Sequence, residues 1–269
     1  MSFQLPPASS VYLLLGSLPL LVLAEARAIR AGHALFKILS SIAFVSGPLR
    51  HFSAESSSYH TLITCGLVCS LVGDILLIPS KREYYPPERP QTPANSKDQP
   101  PENQISVSFQ LGVVAFAAAH ISYILAFVRD APKAMAWPTF LAIFAATMVI
   151  SKWLGVIYPS TSPSSARLTS GNLLSLSIPS DMRPLVAIYA TIISSMLAIA
   201  ISTTPSLQHQ RVLGAVMFVL SDIFVAKDAF GKTKKQNAGG MSDDWLPRGI
   251  GWVLYFWGQM VLAGTAERK

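Results

Sequence analysis

Residues 108–128 read SFQLGVVAFAAAHISYILAFV, twenty-one residues without a single Lys, Arg, Asp or Glu. As helix, at 1.5 Å per residue, that run extends about 31 Å, the thickness of a bilayer's hydrocarbon. Seven further apolar runs flank it, at 11–29, 33–48, 60–79, 134–152, 183–203, 210–228 and 249–266. The sequence therefore predicts an all-α polytopic membrane helix bundle of about eight transmembrane helices, forming one domain over residues 1–269. The run at 33–48 is the shortest, because polar residues interrupt it.

Composition agrees with that reading. Of 269 residues, 51% are hydrophobic and 13% charged, against about a quarter charged in an ordinary soluble domain. The mean hydropathy is +0.43. Two cysteines exclude a disulfide-stapled secreted domain, and Cys65 and Cys69, four apart on one helical face, read as small packing residues. Met1 to Ser10 carries no charge and no small-residue cleavage site follows, so the first run reads as a retained helix.

The net charge of +7 would suggest nucleic acid in a soluble protein. Here the basic residues sit in short loops, where they meet headgroups and set topology, so nucleic-acid binding is excluded. Eight crossings put both termini on one face and loops 1–2, 3–4, 5–6 and 7–8 on the other. Those four loops hold fourteen of the 21 Lys and Arg, the termini and other loops six, and Lys37 is left inside the second run. The positive-inside rule makes the loop-rich face cytosolic. Residues 80–107 are rich in Pro and charge and read as a flexible, partly extended loop; 159–182, rich in Ser, Thr and Pro, read as lacking regular structure.

An ionisable group within a span costs several kcal/mol unless paired or wetted. Lys37, Asp74, His120 and Asp222 stand clearly inside, with Ser70, Tyr123, Ser221, Tyr255 and Gln259 beside them, and Glu25 near a helix end. Ser70 and Asp74 are spaced i,i+4, His120 and Tyr123 i,i+3, and Tyr255 and Gln259 i,i+4. Each helix thus carries one narrow polar stripe. Asp74 and Asp222 lie about 7–9 Å below the loop-rich face and His120 near the middle, so one cavity opening on that face would collect them. Packing offers an alternative for each alone. An aspartate could pair with Lys37, His120 could be a hydrogen-bonded core histidine, and Tyr255 an interface aromatic. Packing explains the whole set at similar depth poorly.

Two buried carboxylates in different surroundings permit acid–base hydrolysis, one donating a proton while the other activates water. No GxSxG or HExxH is present, and one deep histidine cannot make a tri-histidine zinc site. No metal or other cofactor is expected. A proton- or cation-coupled carrier would use the same carboxylates but needs a path to both faces, and a lipid-binding scaffold would use them for stability alone.

Taken together, Lys37, Gly73-Asp74 in LVGDILLIP, FQLGVVAFAAAHISYILAF, Tyr189, GAVMFVLSDIFVAKDAF and YFWGQMVLA resemble the YhhN-like family of integral membrane proteins, which includes the animal lysoplasmalogenases. The resemblance covers nearly all spans. It implies a lysophospholipid partner: hydrolysis of the vinyl ether bond of a lysoplasmalogen to a fatty aldehyde and glycerophosphoethanolamine or glycerophosphocholine. Asp74 and Asp222 would be catalytic, in either order. His120, Tyr123, Ser221, Tyr255 and Gln259 would orient them or bind the glycerol oxygens, and Lys37 would suit the lipid phosphate. In a eukaryote the expected membrane is an endomembrane such as the endoplasmic reticulum. The long loops at 80–107 and 159–182 depart from the compact family pattern.

Overall fold

The computed structural model describes residues 3–53, 56–79, 106–131, 134–159, 171–204, 209–231 and 245–267. These form eight helices: α1 (Ala8–Ala26), α2 (Arg30–Arg50), α3 (Ser58–Leu76), α4 (Val107–Arg129), α5 (Trp137–Leu154), α6 (Arg183–Ser202), α7 (Gln210–Phe230) and α8 (Trp245–Ala266). By length and composition the first six are apolar enough to cross a membrane, so the protein is a multi-pass helical membrane bundle. The helix that reads shortest in sequence, α2, is 21 residues long. His33, Lys37, Ser40 and Ser41 interrupt its apolar run, yet all four are buried against neighbouring helices.

Local sequence marks the ends. Ser57 and Ser106 accept backbone N–H bonds from His60 and Phe109, capping α3 and α4. Proline stands in the first turn of α5 and α6, where no N–H is needed. Gly155, at φ +89°, ends α5 in the left-handed conformation, and a Cβ there would overlap Asn172.

The helices associate through small residues. Gly73 lies under the Phe116 ring and Gly112 under Leu77, seating α3 on α4; Gly214 lies under Leu262, seating α7 on α8. α8 is the central helix, touching α1, α2, α3 and α7, and its run Gly258–Ala266 is wholly buried. Surrounded by protein, it has no need of a lipid-facing composition. α5 packs chiefly on α6 and has no buried residue. Cys69 is half-buried and packs against the core, whereas Cys65 lies exposed on α3, which corrects its reading as a small packing residue.

The helices alternate in direction, so the ends of α1, α3, α5 and α7 share one face with the starts of α2, α4, α6 and α8. This is the loop-rich face. Most of the expected flexible loop 80–107 lies outside the described residues, as do 160–170. The rest of the second loop differs from expectation. Residues 171–182 form no helix, but Leu176, Ile178 and Met182 are buried with Phe230 against Phe109 and Val186. Leu176 bridges Gly231, Ser177 N–H donates to the Phe230 carbonyl at 2.8 Å, and the Asn172 side chain closes a turn onto Leu176. A polar composition concealed a small apolar cap over the ends of α4, α6 and α7.

Candidate functional site

Asp74 sits near the end of α3, 1% exposed. Its Oδ2 accepts bonds from Ser41 Oγ and Tyr255 OH, each at 2.7 Å. Its Oδ1 lies 3.6 Å from Lys37 Nζ, and Lys37 is also 1% exposed. The ammonium lies 4.9 Å from the centroid of the Trp252 ring, a cation–π contact. Two hydroxyl donors and an ammonium acting on one carboxylate are an arrangement for holding a negative charge.

From Tyr255 the network runs deeper. Gln259 Nε2 donates to Tyr255 OH at 3.3 Å, Tyr123 OH donates to Gln259 Oε1 at 2.8 Å, and Ser70 Oγ lies 3.4 Å from Tyr123 OH. The i,i+4 pairs Lys37/Ser41, Ser70/Asp74 and Tyr255/Gln259 therefore converge from α2, α3 and α8, and Tyr123 joins them from α4. Tyr123 has room because Gly66 lies beneath its ring. Gly66→Leu should displace that ring from Gln259 and cost about 1–3 kcal/mol, typical of overpacking. Thermal unfolding in detergent checks this; an unchanged midpoint would show that the ring is not confined.

Asp222 belongs to a separate pair. Half-buried on α7, its Oδ2 accepts from Tyr189 OH of α6 at 2.8 Å. Among the described residues no ion pair involves it. His120 on α4 is fully buried beside this pair, its ring centroid 5.5 Å from Tyr189 and 5.1 Å from Phe218. Its Nδ1 lies 2.6 Å from the Phe116 carbonyl, while its Nε2 has no hydrogen-bond partner among the described residues.

Sequence spacing predicted one polar cavity. The structure shows two hydrogen-bonded groups that meet through aromatic rings: His120 lies edge-on to Tyr123 at 6.1 Å between centroids, and Phe218 touches His120, Tyr123 and Tyr255. Among the described residues no hydrogen bond joins the Asp74 network to the Tyr189–Asp222 pair. Two further placements differ from expectation. Ser221 is buried but donates to the Phe218 carbonyl of its own helix at 2.8 Å rather than to the Asp222 pair. Lys37 is enclosed by Asp74 and Trp252 rather than open to a lipid phosphate.

Sequence reasoning also missed a charged cluster at the loop-rich face. Glu25 lies 3.2 Å from His33 and 3.0 Å from Arg248, and Arg248 lies 2.6 Å from Asp228. His33 stacks edge-on against Trp252, 5.9 Å between centroids. Polar groups thus descend from the surface through Arg248, Glu25 and His33 to Lys37 and Asp74. Lys37/Ser41 spacing was a readable signal; Glu25 and Arg248, 223 residues apart, left none.

On the opposite face Arg211, counted from sequence as a loop cation, is 4% exposed. Its guanidinium pairs with Asp130, bonds Tyr59 OH at 3.2 Å and lies 4.6 Å from the Tyr59 ring centroid. Tyr59 donates to Thr265, and His60 spans the Pro48 and Ala266 carbonyls, each at 3.0 Å.

Neither curated proteins nor solved structures gave a match. Residues 32–266, from the first turn of α2 to the last residue of α8, match the model of the YhhN family. The chain carrying these buried polar groups belongs to the YhhN family.

Proposed function

We propose that this protein is an intramembrane lipid hydrolase of the lysoplasmalogenase type, cleaving the vinyl ether of a lysoplasmalogen carrying an ethanolamine or choline headgroup. The observation that carries the reading is the contrast between its two interior carboxylates. Asp74 is held by Lys37 and two hydroxyls, whereas among the described residues Asp222 meets only the hydroxyl of Tyr189. A carboxyl without a cation partner suits a proton donor, and an ion-held carboxylate suits a standing negative charge.

In this mechanism Asp222 delivers a proton to the alkenyl carbon remote from oxygen. The resulting oxocarbenium ion is stabilised by the negative field of Asp74, and water adds to its carbon, giving up a proton that returns to the Asp222 carboxylate. The hemiacetal then separates into a fatty aldehyde and the glycerophospho-alcohol. Lys37 acts by fixing Asp74, which replaces the phosphate-binding role suggested by the resemblance. Tyr123, Tyr255 and Gln259 hold Asp74 from beneath. A single aliphatic chain would lie along the apolar helix faces. The loop-rich face is proposed as cytosolic and the membrane as an endomembrane.

Purified protein in nanodiscs with 1-alkenyl-glycerophosphoethanolamine should release aldehyde and glycerophosphoethanolamine in equal amounts. In D2O the aldehyde should carry one deuterium on the carbon next to the carbonyl. An intact lipid, or uptake into proteoliposomes without cleavage, would contradict the proposal.

A further inference from the structure

His120 poses a hydrogen-bonding question that the two carboxylates do not answer. Its Nδ1 lies 2.6 Å from the carbonyl oxygen of Phe116, one turn earlier on α4. A carbonyl oxygen only accepts, so Nδ1 carries the hydrogen. In the neutral ring Nε2 is then a bare lone pair, able to accept and unable to donate. That atom is buried and has no partner among the described residues, although buried polar atoms in proteins are nearly always satisfied.

The chain's own hydroxyls nearby are already given elsewhere. Tyr189 OH donates to Asp222 and Tyr123 OH donates to Gln259, and the third close ring, Phe218, has none to give. Among the described residues no hydroxyl is left for Nε2, which points to a donor from outside the protein. The aromatic walls and the absence of any cation pairing with Asp222 among the described residues favour a neutral O–H over an ammonium.

We infer that His120 Nε2 is the acceptor for a hydroxyl at the reaction centre, supplied by the substrate's glycerol or by the hydrolytic water. This rests on the hydrolase reading and gives it a specificity rule. A lipid whose middle glycerol carbon bears a free hydroxyl satisfies the lone pair. An acylated or methylated oxygen brings only its own lone pairs, so a second chain is refused on hydrogen-bonding grounds as well as on bulk.

The test uses the full chain in nanodiscs with two probes, 1-alkenyl-2-hydroxy- and 1-alkenyl-2-methoxy-glycerophosphoethanolamine. His120→Phe keeps a ring in the aromatic cage and removes the acceptor. If the glycerol is the source, the wild type prefers the hydroxy lipid by about tenfold or more in kcat/KM, and the variant loses that preference. If water is the source, the variant falls about a hundredfold on both lipids alike. Either result supports the acceptor role, with unfolding at the wild-type temperature as the control. Activity within about threefold of wild type on both lipids would overturn it. A second measurement needs no variant. The Nε2 resonance of 15N-histidine-labelled wild type should shift on adding the non-cleavable 1-alkyl-2-hydroxy lipid, by way of its hydroxyl or an ordered water. No shift would also overturn the assignment. Absence of cleavage of any alkenyl lipid, with that shift retained, would remove the hydrolase reading and leave His120 as the hydroxyl acceptor of a lipid-binding site.

Discussion

Asp74→Asn is expected to cost the protein about 3–5 kcal/mol of stability, the usual consequence of leaving one member of a buried ion pair without the other. Lys37 is 1% exposed and has Asp74 as its carboxylate partner, the Trp252 ring being its other close neighbour. Ser41 and Tyr255 both give their hydrogens to the same carboxylate oxygen, so the substitution also disturbs two hydroxyls. The variant should unfold at a markedly lower temperature and express poorly. Replacing both partners, as Asp74→Asn with Lys37→Met, removes the stranded ammonium and should restore most of the stability. If Asp74 supplies negative charge to the reaction, that folded double variant remains at least about tenfold less active. Full activity in it would reduce Asp74 to a structural role.

Asp222→Asn should have the opposite profile. Asparagine is close to isosteric, accepts the Tyr189 bond through its amide oxygen and leaves no charge stranded, since Asp222 has no cation partner among the described residues. Stability should stay within about 0.5 kcal/mol of wild type. Hydrolysis should fall by about 10²–10⁴-fold, the range for losing a positioned proton donor. The pair of variants separates the two carboxylates: one chiefly holds the bundle together, the other chiefly performs chemistry. Measuring unfolding and aldehyde release on the same preparations checks both.

Much of this arrangement was legible in sequence because membrane spans are read against a strict background. Lys37, Asp74, His120 and Asp222 stood out by being ionisable, and Tyr255 and Gln259 by sharing a helical face. The extent of α2 was obscured because its polar residues face inward, where a hydropathy reading cannot distinguish protein from lipid. The link between Tyr255 and Asp74 joins residues 181 positions apart, and α3 and α8 leave no local trace of that meeting. Two structural facts had no sequence signal at all. Phe218 looks like any apolar residue, yet its ring touches His120, Tyr123 and Tyr255, where the two polar groups meet. The orphaned Nε2 of His120 depends on a backbone bond to Phe116. The cap at 171–182 shows the reverse failure, where Ser and Pro content hid three buried apolar side chains.

The most direct test of the central claim compares aldehyde release from 1-alkenyl-glycerophosphoethanolamine by wild type and Asp222→Asn in identical nanodiscs. The account predicts steady release by the wild type and a loss of at least about a hundredfold in a variant that remains folded. Release by Asp222→Asn at the wild-type rate, or none from the wild type, would contradict it.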